Sequence, residues 1–526
     1  MNLIKKYYIV LSVVLALIVS RLIFLSQFPP ILNRDEAALA YNAKLILETG
    51  KDEWGKNFPL QFQSFGDFKL PGYIYTLVPI FAIFGESDLT VRLPAASAGI
   101  AIAILGASLF FEFYPISKTK QRFSIILLFF TMTPVFFFYS RMAWEANLSL
   151  FFAVTSIYLV LKKVKKRITF DIVSAVFMFL AVFTYNTPLL LLPFLLAVVI
   201  VDRGFFHIKN WIIPVALWTF VLIFGFMMFF SVATQKTGIT IFSDETTKIQ
   251  YPIYRQQYNG YFQSVFGNKY VYWSKILANN YVATFSPKFL VSSGGSHPWH
   301  SILGRGHIYW VQFFFLIVGF VTLAYQSIKS IYYKKMSKVK GQILSLYILL
   351  ISPLPAVATV DAPHATRSLF TFFIIVLISA QGLFFCINLI KNLFLKKLYI
   401  LVIFSIFIIE GSLYFYQYFR VWSQNYPQQL NVGFDQVVWQ ANTDFPQEKK
   451  VVIDDEGYLY IMVAWYAPID SQTFFSTVQK HLPDKIGLLY GYRAGSYRFI
   501  KSIDDRIDGE NIVIQKKNGI WKVEKN

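Results

Sequence analysis

Residues 5–36 read KKYYIVLSVVLALIVSRLIFLSQFPPILNRDE. Tyr7 to Phe28 is an apolar run of bilayer length, with Lys5 and Lys6 standing before it. No small-residue cleavage site follows, so the run reads as an uncleaved anchor rather than a signal peptide. Directly beyond it, Arg34-Asp35-Glu36 opens what reads as an amphipathic helix. A membrane anchor with a carboxylate pair at its face sets the fold class and shows where chemistry is to be sought.

The whole chain agrees with that beginning. Of 526 residues, 56% are hydrophobic, 19% aromatic and only 15% charged, which leaves too little polar surface for a soluble protein. The single Cys386 rules out an intramolecular disulfide. No internal repeat or low-complexity tract is visible. The net charge of +20 does not point to nucleic acid, because the basic residues sit between apolar spans: Lys118, Lys120 and Arg122; Lys162 through Arg167; Arg203 and Lys209; Lys329 through Lys340; Lys391, Lys396 and Lys397. If these face the cytoplasm, the positive-inside rule accounts for most of the excess.

Those clusters order the spans. About 11 transmembrane helices are expected, near 7–28, 89–113, 123–139, 146–161, 169–185, 188–201, 211–231, 308–328, 341–358, 368–390 and 398–417. The short apolar stretch Pro71–Phe84 reads as an interfacial or re-entrant helix, since counting it as a crossing would throw every later basic cluster outside. Segments 29–88, 231–307, 359–367 and 418–526 then face outward, with the turn Arg141-Met142-Ala143-Trp144-Glu145. This predicts a transmembrane catalytic domain over 1–418, carrying a first outer loop 29–88 and a long outer loop 231–307. An extracytoplasmic α/β domain follows over 419–526. Its strand-like runs are Lys450–Asp454, Gly487–Tyr490, Arg498–Ile500, Asn511–Ile514 and Ile520–Val523, and Tyr458–Tyr466 is helix-like.

Asn33 can cap a helix, Glu36 three residues on completes a capping box, and Gly50 stops it. Glu36 therefore has a structural reading as good as a functional one. Asp35 shares a face with Leu39, Asn42 and Ile46, where the helix N-terminus favours its ionised form. A carboxylate so placed is a general-base candidate; the alternative is a first-turn Asp that only stabilises its helix. Downstream come Asp67-Phe68-Lys69-Leu70-Pro71-Gly72-Tyr73, Phe84-Gly85 and Val91-Arg92-Leu93-Pro94.

This ordered set resembles the start of the GT-C superfamily of polyprenyl-phosphate-sugar glycosyltransferases, and within it the bacterial relatives of protein O-mannosyltransferases and of the lipid A aminoarabinose transferase. The likeness covers roughly the first 150 residues well and the later spans more loosely. It implies a polytopic α-helical fold with juxtamembrane helices in the first outer loop. The implied activity is inverting transfer of a hexosyl or pentosyl group from a polyprenyl-phosphate-linked donor to a hydroxyl, at the outer face of a bacterial plasma membrane. Asp35 would be the base. Lys69 and Arg367, with His364, would stabilise the departing phosphate, which leaves as an anion and needs no protonating acid. No metal cofactor is expected, although a divalent metal is left open. The acceptor can be a glycan, a lipid or a protein.

The remaining candidates are weighed residue by residue. Glu145 resembles an acidic residue of the family's second outer turn; the alternative is an interfacial carboxylate paired with Arg141. In Asp361-Ala362-Pro363-His364-Ala365-Thr366-Arg367, His364 and Arg367 make a phosphate clamp, unless Arg367 only snorkels to headgroups. His297 and His300, in a loop read as a lid over the donor, lack the neighbours of a metal site; His297 is kept as a phosphate contact. Asn147-Leu148-Ser149 fits a glycosylation sequon but opens a span and is discounted. The rival function is a transporter or lipid flippase, against which the lack of repeats and of charges deep within spans weighs.

Overall fold

The computed structural model describes residues 2–525, apart from 65–66, 115–116, 163, 166, 234–239, 296–298, 335, 337–338, 424–429, 455–456, 481–490 and 508. Most of these residues are helical. Two compact units emerge: one made of 1–21, 98–139 and 146–417, the other of 22–97, 140–145 and 418–526.

Seven helices among the described residues are long and apolar enough to cross a membrane: Asp88–Phe113, Arg167–Thr184, Ile208–Met228, Trp310–Tyr332, Lys340–Val357, Thr366–Leu389 and Leu393–Trp422. Each coincides with an expected crossing. The other expected crossings are helical but shorter or broken. The apolar part of α1 (Asn2–Leu22) is Tyr8–Leu22, and Glu145–Leu161 and Thr187–Arg203 have 17 residues each. The span expected at 123–139 splits into Lys120–Met132 and Pro134–Tyr139. Pro134 causes the break, since it has no N–H to give the carbonyl four residues back. The buried Arg21 answers it: its Nη2 donates to Thr131 O at 2.9 Å and Phe130 O at 3.5 Å.

In the first unit the centre is Leu369–Leu389, buried along nearly its whole length. It lies against Trp310–Tyr332 through two glycines. A Cβ on Gly319 would come within 2.2 Å of Ile378 O, and one on Gly382 within 2.1 Å of Phe315 O. Only hydrogens fit there, which is how apolar helices approach closely where no hydrophobic force between them exists.

The second unit begins with α2 (Arg34–Thr49), flanked by α3 (Gly72–Phe84) and the first turns of α4 (Asp88–Phe113). Gly50 ends α2 in the left-handed region at φ 71°, where a side chain is disfavoured. Between α2 and α3 lies the hairpin β1 (Phe62–Ser64) and β2 (Asp67–Lys69), pairing Phe62 with Lys69. The C-terminal part forms a six-stranded mixed sheet ordered β4-β5-β6-β3-β7-β8. These strands are β3 (Lys450–Ile453), β4 (Gln479–Lys480), β5 (Gly491–Ala494), β6 (Tyr497–Ile500), β7 (Ile512–Lys517) and β8 (Ile520–Lys525). The strand expected near Gly487–Tyr490 lies outside the described residues. Strand β3 runs parallel to both neighbours and is largely buried, matching its unbroken apolar run Val451-Val452-Ile453.

One core joins this sheet to α2. Ile31, Ala37, Ala38, Tyr41 and Leu45 are buried with Phe434, Val452, Tyr458 through Ala464, Phe499, Ile514 and Trp521. Helix Leu459–Tyr466 supplies the polar stitches. Tyr466 donates to Asp88 Oδ2 at 3.0 Å and accepts from Leu32 N at 2.8 Å, while Trp465 Nε1 donates to Asp88 Oδ1 at 3.0 Å. Tyr460 donates to Glu53 Oε2 at 2.8 Å, and Tyr41 donates to Ile469 O at 3.0 Å.

Candidate active site

The first turn of α2 is built as its sequence dictates. Asn33 Oδ1 accepts from Asp35 N at 2.8 Å and Glu36 N at 3.0 Å, and Glu36 Oε2 accepts from Asn33 N at 3.1 Å. This capping box folds the Glu36 carboxylate back onto Asn33, while Asp35, one residue earlier, stands about 100° around the helix from it.

Glu36 points inward, with a side chain 2% exposed. Arg92, itself fully buried, meets it through Nε to Oε1 at 3.1 Å and Nη2 to Oε2 at 3.3 Å. Ala143 N also donates to Oε1 at 2.8 Å. The rest of the Arg92 fork donates to the carbonyls of Leu25, Pro29 and Ile31 at 2.6–3.0 Å. Arg141 does the same for carbonyls nearer the end of α1. Its Nη2 donates to Ile23, Phe24 and Phe28 O at 2.9–3.2 Å, and its guanidinium lies over the rings of Tyr418 and Phe419. Two arginines thus clamp the irregular segment that leads into α2, satisfying carbonyls that no helix or strand takes up.

Asp35 points the other way. Its side chain is 38% exposed, and Lys69 Nζ, at the end of β2, donates to Oδ1 at 2.8 Å. That length is typical of an ammonium–carboxylate pair. Lys69 is only 9% exposed, so the hairpin holds its amine at Asp35 rather than letting it range through solvent. Glu145 is the first residue of its helix and half-buried.

In the other unit, Asp361 holds Arg367 and His364 together. Arg367 Nη1 donates to Asp361 Oδ1 and to Thr359 Oγ1, the latter at 3.0 Å, and His364 Nε2 stands 3.4 Å from Asp361 Oδ2. Burial pushes the Asp361 carboxyl up, but Arg367 and His364 outweigh it and hold it below the usual carboxylate range. The His364 ring lies 4.6 Å from that of His300, whose Nδ1 is 3.0 Å from Thr366 Oγ1 and 3.3 Å from the Tyr139 hydroxyl. Deeper, His307 packs between Phe289 and Phe372, and burial, assisted by His364, pulls its imidazolium down to about 3.

The structure therefore joins Asp35 to Lys69 in one unit, and His364 to Arg367 in the other. Glu36 and Arg141 are turned to internal contacts, and His297 lies outside the described residues. Sequence reasoning missed Asp361 as the anchor of its loop, Arg92 as the partner of Glu36, and Tyr139 and Thr366 beside His300. The signal for Arg92 was an arginine opening an apolar span, which requires a counter-charge. Asp361 stood three and six residues from its partners. Among the described residues no group of three or more His, Cys, Asp or Glu could hold a metal ion.

No protein-family model and no curated protein matches the chain. Solved structures do. The archaeal oligosaccharyltransferase AglB from Archaeoglobus fulgidus, in complex with an inhibitory peptide and a dolichol-phosphate, is matched at TM-score 0.53 and 13% identity, over 88% of this chain and 64% of that one. The same enzyme tethered to an acceptor peptide with the NVT sequon is matched at 0.54 and 13%, over 89% and 64%. ArnT from Cupriavidus metallidurans in the apo state follows at 0.48 and 10%, over 87% and 84%. This chain spans 64% of the length of the oligosaccharyltransferase it matches. What the likeness establishes is architecture: the chain shares the fold of this oligosaccharyltransferase, itself a GT-C enzyme, and seven of its described helices are long and apolar enough to cross a membrane.

Proposed function

We propose that the protein is an inverting glycosyltransferase that moves a sugar from a polyprenyl-phosphate-linked donor to a hydroxyl at the outer face of the membrane. The observation that carries this reading is the split of the carboxylate pair. Glu36 is locked inside, whereas Asp35 keeps an accessible carboxylate at a helix N-terminus with a held ammonium beside it. The acceptor hydroxyl gives its proton to Asp35 as its oxygen bonds to the anomeric carbon. The bond from that carbon to the phosphate oxygen breaks, and its electron pair leaves with the lipid phosphate. Lys69, 2.8 Å from Asp35 Oδ1, offers its amine to the departing phosphate, where negative charge develops. Glu36 and Arg141 act by fixing the chain that carries Asp35. The N-terminus and basic loops face the cytoplasm of a bacterial plasma membrane.

The test is transfer from radiolabelled undecaprenyl-phosphate sugars in membranes holding wild type or Asp35→Asn. Loss of general-base help lowers the rate by about 10²–10⁴-fold; a variant of wild-type rate removes Asp35 from the role. A second reading, transfer of a whole oligosaccharide, is favoured by the likeness to AglB. Polyprenyl-linked single sugars and oligosaccharides, offered side by side, separate the two.

A further inference from the structure

Four helices of the first unit line a half-open cleft of about 320 Å³: α1, Lys120–Met132, Leu369–Leu389 and Leu393–Tyr416. That is the lower end of the roughly 300–1,000 Å³ of ligand pockets. Its walls are apolar, with Ile125, Leu128, Ile387 and Ile403 among them, and the stacked rings of Phe129 and Phe407, 5.0 Å apart, stand at one end. Toward the other end the lining turns polar, with Gln121 and Ser124. Ser124 is 4% exposed, and its Oγ has no hydrogen-bond partner among the described residues. A buried hydroxyl in that state calls for an acceptor.

The same end collects positive charge. Lys120 lies one turn before Ser124, and Lys396 one turn before the lining residue Ile400, so each extends a lining face. Lys391 follows the end of Leu369–Leu389, four residues after Ile387. Lys120–Met132 and Leu393–Tyr416 both begin here, and their two positive dipole ends outnumber the negative end of Leu369–Leu389, which stops here. An apolar slot, a polar collar with an unanswered donor, and a cationic mouth succeed one another along one axis.

We propose that this cavity binds one anionic glycerophospholipid, with an acyl chain in the slot, an ester carbonyl accepting from Ser124, and the phosphate against Lys120, Lys391 and Lys396. Basic pockets between membrane helices take anionic headgroups in this way. A zwitterionic lipid fills the slot equally well but brings its own cation to a mouth already positive. The site rests on the membrane-embedded fold and is independent of the sugar-transfer reading.

The experiment uses the full chain, delipidated in a neutral detergent, with binding read by native mass spectrometry and by thermal shift. Phosphatidylglycerol, phosphatidylcholine with the same acyl chains, and undecaprenyl phosphate are the probes. The expected result is one retained phosphatidylglycerol, bound about tenfold or more tightly than phosphatidylcholine, with Lys120→Gln and Lys396→Gln each weakening it by about fivefold. Ile403→Trp, which fills the slot, abolishes retention; should that variant melt below wild type, the two lysine variants carry the test. Equal affinity for the two phospholipids overturns the proposal, as does phosphatidylglycerol binding that survives Ile403→Trp in a protein melting as wild type. Undecaprenyl phosphate preferred over phosphatidylglycerol assigns the slot to the carrier lipid and overturns it too.

Discussion

Two adjacent carboxylates at the start of α2 differ entirely in what surrounds them, and substitution separates their roles. Glu36→Gln leaves the fully buried Arg92 without its counter-charge, a change that costs about 3–5 kcal/mol. Asp35→Asn removes one member of a part-exposed pair and costs about 0–1 kcal/mol. Denaturant or thermal unfolding of the two purified variants checks this: Glu36→Gln is expected to fall well below wild type and Asp35→Asn to stay near it. A destabilised Asp35→Asn would make its activity loss uninformative. His307 gives a prediction in pH. Its folded value, about 3, is below the ordinary 6.5, so between these the unfolded chain binds the extra proton. Stability is therefore whole above about pH 6.5 and is lost as pH falls toward 3. The loss amounts to on the order of 2 kcal/mol between pH 7 and 5. His307→Phe, apolar and aromatic among Phe289 and Phe372, is expected to flatten the melting temperature across that interval.

At the scale of elements, local signals were legible and distant pairings were not. The Asn33 cap, Glu36 box and Gly50 stop bound a helix of the expected length, because capping chemistry lies within four residues of sequence. The strand at Lys450–Ile453 and the helix Leu459–Tyr466 also follow from their apolar runs. Nothing local says that Arg92 reaches Glu36 across 56 residues, or that Tyr460 finds Glu53 across 407. Periodicity gives a buried face but not its partner. The break at Pro134 was readable from the proline alone, yet was passed over inside an apolar run that looked continuous. The crossing of Trp310–Tyr332 with Leu369–Leu389 makes a further prediction. A Cβ at Gly382 meets backbone of the neighbouring helix, which cannot rotate aside. Gly382→Val is expected to force the helices apart and to lower the melting temperature by several degrees, while Ser379→Ala, one turn earlier, changes it little. Equal effects of the two would mean that the glycine contact does not set the spacing.

At the scale of the whole molecule, charge placement predicts orientation. Reporter tags within 118–122 are expected to read as cytoplasmic and tags beyond residue 420 as external. A C-terminal reporter found inside would overturn the outer-face site, because α2 shares its core with the C-terminal sheet.

The core shared by α2 and the C-terminal sheet bears on how the protein is made. Ile31, Ala38 and Tyr41 leave the ribosome long before Ile514 and Trp521, which are buried in the same cluster. The helix that carries Asp35 thus waits, without its hydrophobic cover, through the synthesis and insertion of every intervening span. A chain cut short before β7 and β8 leaves that helix without part of its apolar cover, open to proteases.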